Sequence, residues 1–385
     1  MNPLTQQSVS SSPVWHGPMP RSQSDAMKPG DAVAHALTYD SNLRDVLEQI
    51  RAKKKELGDQ LIMPTHYYQR PEVVDLGDYH GDSLKLAQWV AGQAAPIVVY
   101  CGVRFMAESA VILAQPHQRV YLPNLKAGCP MADMSDLPHT EEAYAEMSEV
   151  CGGQKIVPVT YMNSWADLKA FTGAHGGSVC TSSNASKIFE WAFTQGQKIL
   201  FFPDEHLGRN VSNSLAVPRD EVIVWNRFKK PFGGNTAEAV KKARVILWKG
   251  YCHVHTHFTV EHIRQARAMA PDAIIMVHPE CSEDVVALAD KVGSTTAIAA
   301  FVKEAPAGST IFIGTEINLV ARLARDNPGK KIYELARSLC HNMFRVSAES
   351  VLWTLTHLDL PDNIVDVPEE TKADARAALE RMLAV

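Results

Sequence analysis

Three of the seven cysteines recur at the ends of similar stretches of sequence. Cys129 lies in AGCPMADM, Cys252 in KGYCHVHTHF and Cys340 in SLCHNMF, and none belongs to a CxxC pair. The lack of such pairs argues against a zinc ribbon. Three thiolates that converge could hold one iron–sulfur cluster and leave one iron open to a substrate. The alternative is that all the cysteines are small buried packing residues.

A second group of polar residues follows three predicted strands. The strands lie in LIMPTHYYQ (61–69), KIVPVTYMNS (155–164) and AIIMVHPEC (273–281). In open α/β sheets, ligands bind beyond the carboxyl ends of strands, and Tyr, His and Glu placed there can act as general acids and bases. We therefore expect a site formed by His66, Tyr68, Tyr161, Asn163, His278 and Glu280.

A short hydroxyl-rich loop opens the helix that follows each of these strands. The loops are GDS (81–83), TSS (181–183) and GST (293–295). The first backbone N–H groups of a helix and its dipole favour anions, and hydroxyls add further donors. Together the three loops predict a site for a substrate with several carboxylates or a phosphate. Taken singly, each loop is better explained as an ordinary N-cap.

The segment CHVHTHF is dense in imidazole and has two interpretations. On a strand, His253, His255 and His257 would share one side and Cys252 would face the other, and a zinc site could form. On a helix, Cys252 and His255 would share a face. A histidine beside a cluster ligand would then face the substrate.

The elements that must position these groups alternate between strand and helix. Runs such as IVVY, KILFF and IIMV suit strands buried on both faces of parallel sheets. The order of strand, hydroxyl loop, helix, second strand and lone cysteine occurs three times. This repetition predicts an α/β fold of three similar three-layer αβα domains, with parallel sheets around a pseudo-threefold axis where equivalent residues meet. Chance similarity between α/β units is the alternative.

The repeats also set the predicted boundaries. The middle repeat is the longest, and PRDEVIVWNRFKKPFGGN is interpreted as an inserted loop or hairpin. Helices are predicted for KIYELARSLC, AESVLWTLTHL and the C-terminal DVPEETKADARAALERMLAV. The predicted parts are a disordered tail at 1–39, a first repeat with a leading helix at 40–135, a second repeat at 136–258 with the insertion near 208–243, a third repeat at 259–345, and C-terminal helices at 346–385.

Composition narrows the functional classes. Asp and Glu number 43 and Lys and Arg 38, so the formal charge is −5 and no basic surface for nucleic acid is expected. No apolar run is long enough to span a membrane, and the N-terminus lacks the apolar core of a secretory signal. The odd number and irregular spacing of the cysteines argue against a disulfide framework and favour reduced thiols in the cytoplasm.

These segments together resemble the quinolinate synthase family over about Leu61 to Trp353. The resemblance rests on the order and content of ten segments. They are His66-x-Tyr68, GDS with Asp82 and Ser83, FMAE (105–108), GCPMADM (128–134), Tyr161-x-Asn163, TSSNA (181–185), Cys252-x-Val254-His255, HPEC (278–281), GST (293–295) and the late Cys340.

The resemblance implies an activity and a cofactor as well as a fold. Members of the family condense iminoaspartate with dihydroxyacetone phosphate to quinolinate, releasing phosphate and two waters, in de novo NAD biosynthesis. They carry a [4Fe–4S] cluster on three cysteines, which match Cys129, Cys252 and Cys340 here. The open iron of the cluster would act as a Lewis acid.

The resemblance also implies roles for individual residues. The catalytic residues implied are Glu280, Tyr161, Tyr68 and His255. The residues implied to line the substrate cavity are His66, Tyr68, Ser83, Tyr161, Asn163, Ser182, His255, His278, Glu280, Ser294 and Thr295.

Two departures and three rival functions accompany the resemblance. Some members carry C-x-x-C-x-x-C near the last ligand, but Glu334 and Arg337 stand at those positions here, so no thiol–disulfide switch is expected. The longer spacing from Cys129 to Cys252 is the second departure. The rivals are another Fe–S hydro-lyase, a non-catalytic Fe–S sensor and a zinc hydrolase built on CHVHTHF.

The expected partners are the small-molecule substrates iminoaspartate and dihydroxyacetone phosphate. A transient contact with the L-aspartate oxidase that makes iminoaspartate fits the resemblance. No nucleic-acid or membrane partner is expected, and a monomer and a homodimer both fit the sequence.

Overall fold

The computed structural model describes residues 41–385. The disordered tail predicted at 1–39 lies outside the described residues. The described chain begins with the predicted leading helix, α1 (Ser41–Leu57), which buries Leu47 and Ile50. Its apolar residues recur three and four positions apart, so one face of the helix packs on the core.

The strands of the first repeat form two short parallel groups. Strand β1 (Leu61–Ile62) pairs with β4 (Ile97–Val99), which pairs with β5 (Arg119–Tyr121). Strand β2 (Pro64–His66) continues the path of β1 and pairs with β3 (Tyr79–Gly81). The helices of this repeat are α2 (Pro71–Val74), α3 (Ser83–Ala91) and α4 (Arg104–Leu113).

The second repeat contains a five-stranded parallel sheet. Its strands are β6 (Ile156–Tyr161), β7 (Ser178–Cys180), β8 (Lys198–Phe202), β9 (Val222–Trp225) and β10 (Val245–Trp248). They lie in the order β7-β6-β8-β10-β9. Its helices are α5 (Leu137–Cys151), α6 (Ala166–Ala174), α7 (Ala185–Gln195), α8 (Glu205–Ser214) and α9 (Ala237–Lys242).

The inserted segment of the middle repeat adds a strand and is not a hairpin. Strand β9 runs parallel to β10, with Val222 opposite Val245 and Trp225 opposite Trp248. A parallel neighbour needs a crossover connection, and α9 supplies it. The pairing is favoured because Trp225 is buried in the same apolar cluster as Trp248.

The third repeat contains a four-stranded parallel sheet. Its strands are β11 (Ile274–Val277), β12 (Lys291–Val292), β13 (Thr310–Gly314) and β14 (Lys331–Glu334). They lie in the order β12-β11-β13-β14. Its helices are α10 (Val260–Met269), α11 (Glu283–Leu288), α12 (Thr295–Glu304) and α13 (Ile317–Asp326).

The prediction of a helix for KIYELARSLC is wrong. Ile332 and Tyr333 pair in parallel with Ile311 and Phe312 as part of β14. Ile332 is buried in the core of this sheet, and such sheet pairing outweighs the weak local helix preference of a short segment. The chain then runs without regular structure as far as Cys340.

Both C-terminal helices predicted from the sequence are confirmed as α14 (Ala348–Thr356) and α15 (Glu369–Ala384). Helix α15 lies so close to α6 that a Cβ on Gly173 would meet the carbonyl oxygen of Asp374 at 1.8 Å. A glycine is therefore required at that contact. In the described part of the chain, no helix is long and apolar enough to cross a membrane.

The predicted fold class, α/β with parallel sheets in three similar αβα units, is confirmed. Every pairing between the strands named above is parallel. In each repeat the first strand, which in the first repeat is β1 continued by β2, lies between the two strands that follow it in the sequence. This common order places the carboxyl ends of the first strands in equivalent positions. The boundaries between the repeats stay a prediction.

Candidate active site

One cavity lies beyond the ends of the first strands of the three repeats. Strand β2 ends at His66, β6 ends at Tyr161, and β11 ends just before His278. The empty space, including the part open to solvent, is about 710 Å³. The site residues predicted from the sequence that line it are His66, Tyr68, Ser83, Cys129, Tyr161, Asn163, Ser182, Cys252, His255, His278, Glu280, Thr295 and Cys340.

Ser294 is the predicted site residue that does not line this cavity. Its hydroxyl caps α12 by accepting the backbone N–H of Ala297 at 3.3 Å. It also lies 2.8 Å from the hydroxyl of Ser183. The adjacent residue, Thr295, is the one whose side chain faces the cavity.

The three predicted ligand cysteines each begin the same helical turn. In every case the cysteine carbonyl accepts a hydrogen bond from the backbone N–H four residues later. These bonds run from Asp133 to Cys129 at 3.1 Å, from Thr256 to Cys252 at 3.0 Å and from Phe344 to Cys340 at 3.2 Å. All three cysteines line the cavity.

The environment of these thiols suits metal ligands. Burial raises the pKa of Cys129 to about 12 and that of Cys340 to about 11, and it raises the pKa of Cys252 well above its ordinary value. A bound metal would have to displace the three protons. Backbone N–H groups already face two of the sulfurs, those of Met131 and Ala132 at Cys129 and those of Asn342 and Met343 at Cys340.

The remaining cysteines have packing roles. Cys101, Cys151, Cys180 and Cys281 are buried in four different apolar clusters, and none lines the cavity. The thiol of Cys281 points to the carbonyl of Gly314 at 3.9 Å. All the cysteines are free thiols.

The donor set fits an iron–sulfur cluster better than a single ion. Cys252, His255 and Glu280 have ligand atoms within 4.8 Å of one another, close enough for one ion. Both ring nitrogens of His255, however, have hydrogen-bond partners, Glu280 on one side and Thr315 on the other. A ligand histidine needs a free lone pair. The sulfurs of Cys129 and Cys340 accept only backbone N–H groups, and a thiolate sulfur can accept such bonds and still bind iron.

Glu280 is held between a phenol and an imidazole. The Tyr161 hydroxyl donates to Oε1, and Nδ1 of His255 lies 2.9 Å from Oε2. Burial alone would raise the pKa of Glu280, but the neighbouring His255 and His278 and these hydrogen bonds lower it to about 2. The group is therefore a buried carboxylate at neutral pH. Burial and this negative charge raise the pKa of Tyr161 well above its ordinary value.

The other nitrogen of His255 faces two hydroxyls. Nε2 lies 3.3 Å from the Tyr68 hydroxyl and 3.1 Å from Oγ1 of Thr315, and these two oxygens are 2.7 Å apart. In a neutral ring, Nδ1 carries the proton because it faces a carboxylate, so Nε2 accepts. Burial, reinforced by Glu280, raises the pKa of Tyr68 well above its ordinary value.

His66 and His278 are held in the same way in two different repeats. Nδ1 of His66 accepts the backbone N–H of Tyr68 at 3.1 Å, and Nδ1 of His278 accepts that of Glu280 at 3.3 Å. Burial lowers the pKa of His66 to about 4 and that of His278 to about 3. Both rings are therefore neutral, with the proton on Nε2. In His278 this nitrogen faces Ser182 Oγ at 3.2 Å.

The hydroxyl loops place two side chains at helix N-termini beside the cavity. Ser83 is the first residue of α3 and Thr295 the first residue of α12. Thr295 Oγ1 is buried and has no hydrogen-bond partner among the described residues. A buried hydroxyl without a partner is costly. Its position in the cavity wall suits a donor to a bound ligand.

The strand interpretation of CHVHTHF is wrong, because the segment forms a helical turn. Cys252 and His255 consequently approach each other beside the cavity. The other two histidines have separate neighbours, with ring centroids 6.0 Å apart for His253 and His341 and 5.7 Å apart for His257 and His262. The three histidines of the segment therefore do not converge on one zinc ion.

Two polar residues of the site were not predicted as site residues from the sequence, although Asp82 was noted there as part of the GDS motif. Thr315 follows β13 and bonds both His255 and Tyr68. Asp82 caps α3 by accepting the N–H of Lys85 at 2.9 Å, and it lines the cavity. The position of Thr315 directly after β13 was a usable signal, because ligands bind beyond the carboxyl ends of strands in open α/β sheets.

The three parallel α/β units share one cavity, which is lined by thiols, neutral histidines and a buried carboxylate. Such a cavity is typical of an enzyme active site. The chain belongs to the family described as quinolinate synthetase A protein (NadA), whose model matches residues 48–384.

Relatives named quinolinate synthase match most of the chain. The Corynebacterium glutamicum protein is 47% identical over 342 residues, which cover 88% of this chain and 86% of the relative. The Rhodopirellula baltica protein is 44% identical, covering 92% of this chain and 95% of its own. The Bacillus subtilis protein is 43% identical, covering 89% and 94%.

Proposed function

We propose that this protein is a quinolinate synthase of de novo NAD biosynthesis. It condenses iminoaspartate with dihydroxyacetone phosphate to quinolinate and releases phosphate and two waters. The observation that carries the proposal is that thiols from three repeats and a linked set of proton-transfer groups line one cavity. Membership of the quinolinate synthetase A family supports the same reaction.

Cys129, Cys252 and Cys340 are the proposed ligands of a [4Fe–4S] cluster. When bound on three protein ligands, such a cluster offers an open iron that can act as a Lewis acid on a substrate oxygen. The common helical turn at the three cysteines supports this assignment. The repeated backbone N–H groups at Cys129 and Cys340 would stabilise the thiolates.

Glu280, Tyr161, His255 and Tyr68 are the proposed acid–base groups. Formation of the ring requires protons to leave carbon and to reach departing hydroxyls, which positioned carboxylates, imidazoles and phenols can accomplish. Glu280 accepts from Tyr161 and contacts His255, whose other nitrogen faces Tyr68. A proton can therefore pass between the two phenols through this carboxylate and this ring. Thr315 orients the Tyr68 end of the path.

Hydroxyl and imidazole donors are proposed to bind the anionic groups of the substrates. Iminoaspartate has two carboxylates and the triose has a phosphate. The donors available are the hydroxyls of Ser83, Ser182 and Thr295, the amide of Asn163, and Nε2–H of His66 and His278. Neutral donors and helix N-termini can hold anions without buried cations. A closed cavity also protects the labile imine from water.

The proposed function is tested with the anaerobically purified and cluster-reconstituted protein. Given iminoaspartate, formed in place from L-aspartate by an oxidase, and dihydroxyacetone phosphate, it should release quinolinate and phosphate in equal amounts. Iron and sulfide should be near four each per chain, as a [4Fe–4S] cluster requires. The matched controls are the protein without its cluster and a Cys151→Ser variant, because Cys151 is buried away from the cavity.

An intact cluster with no quinolinate formed would overturn the proposal. Dehydration of a hydroxy acid without any triose phosphate would then favour the other kind of Fe–S hydro-lyase. Small-molecule substrates, a cytoplasmic location and a transient contact with L-aspartate oxidase follow from the same proposal.

A further inference from the structure

Three loops, one from each repeat, are joined at a single carboxylate. Oδ2 of Asp82 accepts the Ser183 hydroxyl at 2.5 Å and the Thr296 hydroxyl at 2.7 Å. Ser183 Oγ is in turn 2.8 Å from Ser294 Oγ. Asp82 belongs to the first repeat, Ser183 to the second, and Ser294 and Thr296 to the third. We call these four residues the Asp82 network.

The directions of these hydrogen bonds follow from the number of protons. A hydroxyl has one proton to donate. Ser183 gives its proton to the Asp82 carboxylate, which can only accept, so Ser294 must donate to Ser183. Ser294 accepts the backbone N–H of Ala297. Every member is therefore satisfied within the network, and Asp82 is only 4% exposed.

The residues next to the network face the cavity. Three neighbours of the network residues line the cavity, namely Ser83, Ser182 and Thr295. Ser83 follows Asp82 in the sequence and Ser182 precedes Ser183. Thr295 lies between Ser294 and Thr296. In each loop, a residue that bonds the other loops is thus adjacent to a residue that faces the ligand space. Asp82 itself also borders the cavity. The unpartnered Oγ1 of Thr295 shows that this inner set has donors left for a ligand.

We propose that Asp82 is a positioning residue that sets the spacing of Ser83, Ser182 and Thr295, and that anion binding in the cavity depends on it. The inference rests on the proposed function for the identity of the anionic ligand. Asp82 borders the cavity, but its proposed role is to hold the loops and not to contact the ligand. Its ionised oxygen holds two hydroxyls from different repeats in charge-assisted bonds, which are stronger than neutral ones. Loss of one bond lets two loops separate, and the donors no longer match the ligand.

The sharpest test uses Thr296, since it bonds Asp82 but does not line the cavity. Thr296→Val keeps the shape and removes the hydroxyl, whereas Thr296→Ser keeps the hydroxyl. We expect Thr296→Val to weaken quinolinate binding and raise both KM values roughly tenfold to a hundredfold, the range for a lost hydrogen bond to a charged group. Turnover at saturation should change less than KM. Thr296→Ser should stay within about twofold of the parent.

A coupling measurement separates positioning from simple stabilisation. Ser83 lies in the first repeat and Thr296 in the third, so their effects on quinolinate affinity would be independent without the network. If the network positions Ser83, Ser83→Ala should lose at least about threefold less affinity in a Thr296→Val background than in the parent. The matched surface control is Ser148→Ala on α5, which should bind like the parent.

Two results would overturn the inference. One is a Thr296→Val protein that melts earlier but binds quinolinate as the parent does. The other is additivity of Ser83→Ala and Thr296→Val in binding. Asp82→Asn should weaken quinolinate binding as Thr296→Val does. If the Asp82→Asn protein does not fold, the comparison of Thr296→Val with Thr296→Ser tests the inference by itself. If the parent makes no quinolinate, the proposed function fails. The network can still be tested then, by comparing the affinities of Thr296→Val and Thr296→Ser for inorganic phosphate.

Discussion

Two of the repeats reach the same histidine with different chemistry. In the tyrosine arm, His66 and Tyr68, the phenol meets Nε2 of His255; in the glutamate arm, His278 and Glu280, the carboxylate meets Nδ1. Both arms use the same local bond, from the backbone N–H of the second residue to Nδ1 of the first.

This difference shows how one backbone arrangement, used in two repeats, can give a site in which proton transfer has a direction. The shared bond fixes where each second side chain begins, and the type of that side chain decides its role. A carboxylate on one side of an imidazole and a phenol on the other define a direction for proton transfer. The middle repeat supplies Tyr161, which bonds the glutamate arm.

The largest effect should come from removing the cluster while leaving both arms intact. Cys252→Ser, Cys129→Ser and Cys340→Ser should each lose iron and all measurable turnover, because a serine hydroxyl is a poor ligand for these clusters. Iron content and the electronic spectrum are the measurements. Cys101→Ser, Cys151→Ser and Cys180→Ser should keep the cluster, since these thiols lie in apolar cores. Full iron in Cys340→Ser would contradict the ligand assignment.

The two arms can be compared directly by isosteric changes. Glu280→Gln and Tyr161→Phe on one side, and Tyr68→Phe on the other, should each lower kcat roughly 10²–10⁴-fold, the usual contribution of acid–base groups. Cluster content and product affinity should stay near those of the parent. Single-turnover kinetics would show which step each arm serves. Turnover within a few-fold of the parent, together with a lower melting temperature, would make Glu280 a structural residue.

A smaller effect is expected when only the orientation of the tyrosine arm is disturbed. Thr315→Val removes a 2.7 Å bond to the Tyr68 hydroxyl and a 3.1 Å bond to His255. A lost neutral hydrogen bond is worth about 1 kcal/mol, so kcat should fall roughly fivefold to tenfold. Thr315→Ser should restore it. In a Tyr68→Phe background, Thr315→Val should lower kcat by a smaller factor than in the parent. An equal loss of kcat in both backgrounds would show that Thr315 does not act through Tyr68.

A separate prediction concerns stability and its dependence on pH. Burial lowers the pKa of His66 to about 4 from 6.5, so the unfolded state binds this proton more tightly. Stability is therefore lost as pH falls from about 6.5 to about 4, by on the order of 3 kcal/mol for this group. His66→Asn, whose amide oxygen can replace Nδ1 as an acceptor, should flatten that slope in urea unfolding. An unchanged slope would mean that His66 does not titrate on folding.

A surface change provides the reference for this slope. Ser148 is exposed and carries no ionisable group, so Ser148→Ala should leave the pH dependence as in the parent. The histidine of the glutamate arm, His278, has the same sign of shift, with a pKa of about 3. The two arms should therefore respond alike to acid, although their second residues differ.

Several features of the site could be predicted from the sequence because they follow from local pattern. Buried strands alternating with helices indicated parallel sheets, and the polar residues after first strands, such as His66 and Glu280, line the cavity as their positions indicated. The recurrence of a lone cysteine in each repeat placed Cys129, Cys252 and Cys340 together.

The sequence also determined that the repeats would be related, because the order of strand, hydroxyl loop, helix and cysteine is written three times. Only the tertiary structure decided which of two adjacent hydroxyls faces the ligand. Ser294 turns away to cap a helix and join the Asp82 network, while Thr295 faces the cavity. Local preference is similar for the two residues, so the dihedral angles of the cap make the choice.

Pairing between distant segments decided the rest. The segment KIYE forms a strand because it pairs with β13, and VIVW forms an edge strand because it pairs with β10. Thr315 belongs to the site because its hydroxyl contacts the ring of His255, a residue that is distant in the sequence. Such choices depend on contacts between segments that no local window of sequence contains. Composition and period therefore indicated most of the elements, while contacts between distant segments decided the strand partners and, at KIYE, the type of element.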